Sequence, residues 1–207
     1  MKRASLLALA ALAACASAPG PADHPAATPA DLERITALLK RDFHDRGQAT
    51  TSRIDLDDLQ RLCNLHADNP PAELAKRAEE AMLKAIPTSQ GNLVGDWKKG
   101  EAIAQSGRGM TWNDKAGEAA GGSCYNCHQL SPKEMSYGTI GPSLRGFGKA
   151  RGNGTDVQRY VYGKIYNAKA YNACSQMPRL GWSGTLTPEQ IKDLVGLLLD
   201  PASPVNK

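Results

Sequence analysis

The sharpest alternation of apolar and polar positions lies near the end of the chain. Ile191, Leu194, Val195 and Leu198 recur at the spacing of one helical face. Thr187 stands before them as an N-cap, Pro188 occupies the first helical position, and Gln190 follows the cap by three residues. Pro201 ends the helix. Upstream, Leu32, Ile35, Leu38, Leu39 and Phe43 draw another helical stripe, which Gly47 closes. Leu56, Leu59, Leu62 and Cys63 draw a third, stopped by Asn69-Pro70-Pro71. Residues 72–85, rich in Ala, Glu and Lys, read as a surface helix ended by Pro87. Residues 96–106 form a further helix that packs through Trp97, Ile103 and Ala104, and residues 157–171 carry Val161, Ile165 and Ala168 at helical spacing. The glycine-punctuated stretch 138–154 reads as a loop and 181–184 as a turn. The pattern predicts an all-α fold.

Between the helices at 96–106 and 157–171 lies Cys124-Tyr125-Asn126-Cys127-His128. Two cysteines two residues apart, with a histidine directly after, form the attachment pattern of c-type haem. Each thiol adds across one vinyl group of the porphyrin, which holds the adjacent histidine beneath the iron as proximal ligand. A zinc site would want a second Cys or His pair at finger-like spacing, and a redox dithiol would want a βαβ context. Neither surrounds this motif. One covalent haem c is the expectation, with Cys124, Cys127 and His128 as its protein ligands. The aromatic content of 5% is low for a core of this size, and a buried porphyrin would supply apolar bulk.

An electron-transfer haem with both axial positions filled needs a second ligand, and a thioether there raises the potential. Met177, followed by Pro178 and lying just before the capped last helix, is the candidate. Met135 sits too near the attachment motif to reach the far face, Met82 belongs to the helical region upstream, and Met110 precedes the motif. His44 and His66 read as surface histidines.

Composition narrows the setting. The formal charge of +4 comes with no basic run or stripe, which argues against a nucleic-acid partner. Met1-Lys2-Arg3 followed by a short apolar stretch reads as an export signal, too short to span a bilayer. Two ends compete for that leader. Leu12-Ala13-Ala14-Cys15 resembles a bacterial lipobox, with Cys15 the lipidated first residue. Ala16-Ser17-Ala18 is an A-x-A site that would leave Pro19 at the new terminus. Either places the mature protein in the periplasm, and membrane contact is expected only through a lipid on Cys15. Of five cysteines, Cys63 and Cys174 remain. In an oxidising compartment they read as a disulfide; the alternatives are two free thiols, or Cys174 as a thiolate near the haem. The expected organisation is a leader over 1–15, a Pro/Ala-rich linker over 16–30, a helical extension over 31–90 and a haem domain over 91–207.

Gly141-Pro142-Ser143-Leu144-Arg145-Gly146 resembles the G-P-x-L-x-G loop of class I cytochromes c. The resemblance implies that fold, and implies that the Pro142 carbonyl accepts a hydrogen bond from His128. Residues 95–207 resemble more narrowly the SoxX family, the small cytochrome subunit of SoxAX in bacterial thiosulfate oxidation. The likeness rests on Gly95-Asp96-Trp97-Lys98-Lys99-Gly100-Glu101-Ala102, on Gly122-Ser123 with the attachment motif, and on Gly138-Thr139-Ile140-Gly141-Pro142. Tyr162-Gly163-Lys164-Ile165-Tyr166-Asn167-Ala168, Asn172-Ala173-Cys174-Ser175-Gln176-Met177-Pro178-Arg179 and the tail from Asp200 add to it. It implies a haem subunit with no catalytic residues of its own. Its partners would be a SoxA-like cytochrome, the SoxYZ carrier whose cysteine receives thiosulfate, and a soluble cytochrome c acceptor. The other function class is a free-standing periplasmic cytochrome c serving a respiratory oxidase.

Overall fold

A computed structural model describes residues 25–87 and 91–207. Among these residues the fold is all-α, with seven α-helices, short 3-10 turns and no strand; a lone bridge pairs Arg46 with Ala49. The helices are α1 (Pro29–Asp42), α2 (Asp58–Leu65), α3 (Ala72–Lys84), α4 (Trp97–Gln105), α5 (Phe147–Arg151), α6 (Thr155–Tyr166) and α7 (Pro188–Leu199).

The last helix is the centre of the core. Thr187 accepts from the Gln190 backbone N–H and Gln190 reaches back to Thr187, so two orphan donors are satisfied where α7 begins. Ile191 and the whole run from Leu194 to Leu199 are buried, so α7 is covered nearly all round rather than along the single face its spacing predicts. The extra cover comes from α4, from α6 and from the C-terminal tail. Ser203 donates to the Leu197 carbonyl at 2.5 Å and Asn206 to the Leu198 carbonyl at 3.0 Å. Those are the carbonyls a helix end leaves without intrahelical partners.

Helix α4 crosses α7 at backbone contact. A Cβ on Gly100 would collide with the Asp193 carbonyl, and one on Gly196 with the Gly95 carbonyl. The Gly95 N–H donates to Lys192 O at 2.8 Å, and Asp96 N–H to the Asp193 carboxylate at 2.8 Å. Helix α6 lays Val161, Tyr162 and Ile165 against the same core.

The N-terminal part is built differently. Helix α1 begins at Pro29, inside the stretch read as linker, because Thr28 and Asp31 form a reciprocal capping box and Ala27 N–H donates to Asn64 O. Of its stripe only Leu32 is buried; Ile35, Leu38, Leu39 and Phe43 stay exposed, since among the described residues α1 packs on little more than the turn Thr51–Ile54. A second, small core gathers Leu59, Cys63 and Ala173, with Met82 and Leu62 packed beside it. Helix α3 rests on the turn Ala168–Ala170. The short α5 inside the glycine-rich stretch is an element its composition conceals.

Candidate functional site

The attachment motif is a single tight turn, Cys124–Asn126 in 3-10 form. Ser123 enters it with φ of +47°, a left-handed conformation unusual for a residue with a side chain. That entry is fixed by three backbone bonds: Gly121 N–H to Arg108 O, Gly122 N–H to Ile103 O, and Ser123 N–H to Ser106 O. Gln190 of α7 adds a fourth tie, its Nε2 donating to Ala120 O at 2.8 Å. The Cys124 carbonyl then receives both Cys127 N–H at 3.1 Å and His128 N–H at 2.9 Å. The two thiols and the imidazole therefore leave one rigid turn.

The loop that follows is locked to this turn. Gly138 N–H donates to Tyr125 O, Gly141 N–H to Cys127 O, and Leu144 N–H to Gln129 O, each at 2.8 Å. A Cβ at Gly138 would strike the Asn126 carbonyl, and one at Gly141 would strike the His128 ring. His128 Nδ1 lies 2.7 Å from Pro142 O. A carbonyl only accepts, so Nδ1 carries a proton, and in the neutral ring that leaves the lone pair on Nε2. A ring held this way is prepared as a metal ligand through Nε2, and the hydrogen bond strengthens its donation.

Electrostatics weigh on the alternatives. Burial pushes the Cys124 thiol up to about 11, the opposite of the depressed value a nucleophilic redox dithiol needs. For zinc, ligand atoms must converge. Among the described residues the convergent group is Cys63, Asp68 and Cys174, not the Cys124–His128 turn. In that group the two sulfurs are bonded to each other.

Met177 is half-buried and packs against the main core. Met110 also touches that core, Met82 accepts from Asn167 Nδ2 at 3.3 Å, and Met135 is 98% exposed. The segment around Met177 has little structure of its own; Met177 N–H finds only Ser175 Oγ at 3.3 Å. Its anchors come from the extension. Cys174 is bridged to Cys63 with a Cα separation of 5.5 Å. Arg179 pairs with Asp57 at 2.5 Å, Gln176 donates to Asp68 at 3.2 Å, and Ala173 N–H donates to Glu79 at 2.8 Å. Buried Lys169, whose pKa burial holds down, donates to Ala173 O at 3.1 Å. Asp57, Asp68 and Glu79 carry no motif, and Arg179, though it ends the Met-Pro-Arg run, gives no sign in sequence of its partner, so spacing does not find these ties. Gln190 shows its capping role in sequence but not its grip on Ala120. Cys15 lies outside the described residues.

Over the described residues the chain is thus all-α, with a Cys-X-X-Cys-His turn hydrogen-bonded to a Gly-Pro loop. It belongs to the same family as an "Uncharacterized lipoprotein" of Aquifex aeolicus (strain VF5), to which it is 38% identical over 154 residues, 73% of each chain. No protein-family model matches. Among solved structures, SoxXA from P. pantotrophus is 24% identical, covering 54% of this chain and 87% of that one at a TM-score of 0.39. Among the described residues no helix is long and apolar enough to cross a membrane.

Proposed function

We propose that the chain is an exported electron-transfer protein of class I cytochrome c type, holding one haem c. Cys124 and Cys127 would hold the group through thioethers, His128 Nε2 and Met177 Sδ would ligate its iron, and Pro142 would orient the imidazole. The observation that carries the reading is His128 Nδ1 against Pro142 O at 2.7 Å, directly behind a Cys-X-X-Cys-His turn. The bound group supplies a one-electron couple, with a potential raised by thioether ligation. With His128 and Met177 both ligating, the protein's own part would be to leave no open site for sulfur compounds, so that only electrons pass.

The SoxX-like motifs point to a subunit of a SoxAX-type L-cysteine S-thiosulfotransferase. In that reading a SoxA-like partner joins thiosulfate to a SoxYZ cysteine. This chain takes the released electrons singly and hands them to a soluble cytochrome c. The relative's name as a lipoprotein supports the Leu12-Ala13-Ala14-Cys15 reading of the leader, hence a periplasmic protein tethered by lipid on Cys15.

The test is co-purification of the holoprotein, followed by assay. Alone it should cycle reversibly between oxidation states and fail to conjugate thiosulfate. With a SoxA-like partner and SoxYZ its absorbance should show reduction as the heterodisulfide forms. Cys124→Ala with Cys127→Ala should stop turnover while the partner stays folded. Full turnover by that variant complex would refute the relay role, and purification without any second haem protein would favour the free-standing carrier.

A further inference from the structure

We propose that the N-terminal extension is a clamp on the Met177 loop, in which Asp57, Cys63 and Arg179 are positioning residues that keep the thioether from leaving its site. The inference rests on the reading of Met177 as an axial ligand.

Met177 lies three residues after Cys174 and two before Arg179, and both neighbours are tied to α2. The ties reach opposite ends of that helix. Asp57 is its N-cap, held by the reciprocal pair with Gln60, and Cys63 sits in its buried face. An eight-residue helix is stiff, so it fixes the span between the two anchors. The Arg179 side chain is only 15% exposed, which keeps its 2.5 Å pair with Asp57 from being an idle surface contact.

The segment between these anchors is neither helix nor strand, and its internal hydrogen bonds are few. A neutral thioether is a weak ligand, so the fraction of time it stays in place depends on how often its loop opens. Anchoring both flanks removes conformations in which the loop is open and the sulfur turned away. On this reading the extension holds a ligand in place and is no independent module.

The test uses ferric holoprotein and the rate of cyanide binding, since cyanide enters only when Met177 leaves. The near-infrared sulfur-to-iron band and the midpoint potential are read alongside. Met177→Ala sets the fast limit. If wild type binds cyanide as fast as Met177→Ala, Met177 is no ligand and the underlying reading fails. If wild type is slower, the clamp is on trial by itself. The charge-neutral pair Asp57→Asn with Arg179→Gln should then speed cyanide entry about tenfold, the factor expected for one charge-assisted hydrogen bond present only in the closed loop. Arg179→Lys should recover part of the effect, as a point charge lacking the guanidinium fork. Cys63→Ser with Cys174→Ser should act in the same direction. If that variant fails to mature, the Arg179 series still decides. Variants that lose unfolding stability but keep wild-type cyanide rate, band and potential would overturn the clamp and leave a structural brace.

Discussion

Where α4 crosses α7, Gly100 and Gly196 bring two backbones into contact inside a shell of Ile191, Leu194, Val195 and Leu197. Where α2 meets the Met177 loop, the buried apolar set shrinks to Leu59, Cys63 and Ala173. There, cohesion comes from the Cys63–Cys174 bridge, the Asp57–Arg179 pair and the Ala173–Glu79 hydrogen bond. The first region stabilises through removal of apolar surface from water, which is non-directional and shared among many side chains. The second relies on a few directional ties, each of which can be cut. A core of the first kind fails as a whole; a seam of the second kind can open while the core stays closed.

The largest expected effect is at the seam. The bridge spans 111 residues of sequence, and the chain-entropy model gives about 4–5 kcal/mol for a loop of that length, less any native strain. Cys63→Ser with Cys174→Ser should lower the denaturant midpoint and split the transition, with probes in the extension melting before probes in α7. A single transition with all probes superposed would show that seam and core are one cooperative unit.

The core should answer differently. Ile191 is fully buried, and Ile191→Ala should cost about 3 kcal/mol, moving every probe together. Gly196→Ala is sharper because its sign is reversed. In an ordinary helix interior that change stabilises by about 1 kcal/mol. Here the new Cβ meets the Gly95 carbonyl, and overpacking should destabilise by about 2 kcal/mol. Urea melts of both variants check the pair.

The same contrast explains what could be read from the chain. Helix α7 was legible down to its caps because its capping box and apolar spacing act locally, while the burial of its other face by α4 and α6 was not. The 138–154 stretch reads as loop, yet Phe147–Arg151 is helical: composition gave glycines, while tertiary bonds such as Lys149 N–H to Asn206 set the backbone. The α1 stripe predicts burial that the described residues do not provide, since periodicity reports a helical face and not what covers it. At the candidate site the Cys-X-X-Cys-His motif and the Gly-Pro loop stand in plain view, with His128 and Pro142 only 14 positions apart. Asp57 and Arg179 are 122 residues apart and chemically ordinary, so their pairing belongs to the three-dimensional fold alone.

Helix caps offer a finer comparison. Thr187 and Thr28 each close a capping box, one on the core helix and one on the exposed α1. Thr187→Ala should lower global stability by about 1 kcal/mol. Thr28→Ala should cost the same locally yet move the global midpoint little, showing instead as faster amide exchange in the first turn of α1. Equal shifts in the global midpoint would erase the distinction between the two regions.

The smallest effect is the pH dependence of the seam. Burial of Asp57 works to raise its pKa, but the Gln60 N–H and the Arg179 guanidinium outweigh it, and the carboxyl ends below its ordinary value. A depressed carboxylate contributes stability above its unfolded pKa, near 4, and that contribution fades as pH falls towards and through the lower folded value. The Asp57 side chain is 39% exposed, so solvent screens the pair and the contribution should stay below about 1 kcal/mol. Asp57→Asn keeps a competent N-cap for α2 and removes only the charge. The stability gap between wild type and Asp57→Asn should therefore be constant from about pH 7 to pH 5 and close on acidification below about pH 4. Chemical unfolding at a series of pH values, followed by a probe in the extension, measures it. A gap that widened in acid would mean that burial, not Arg179, governs this carboxyl.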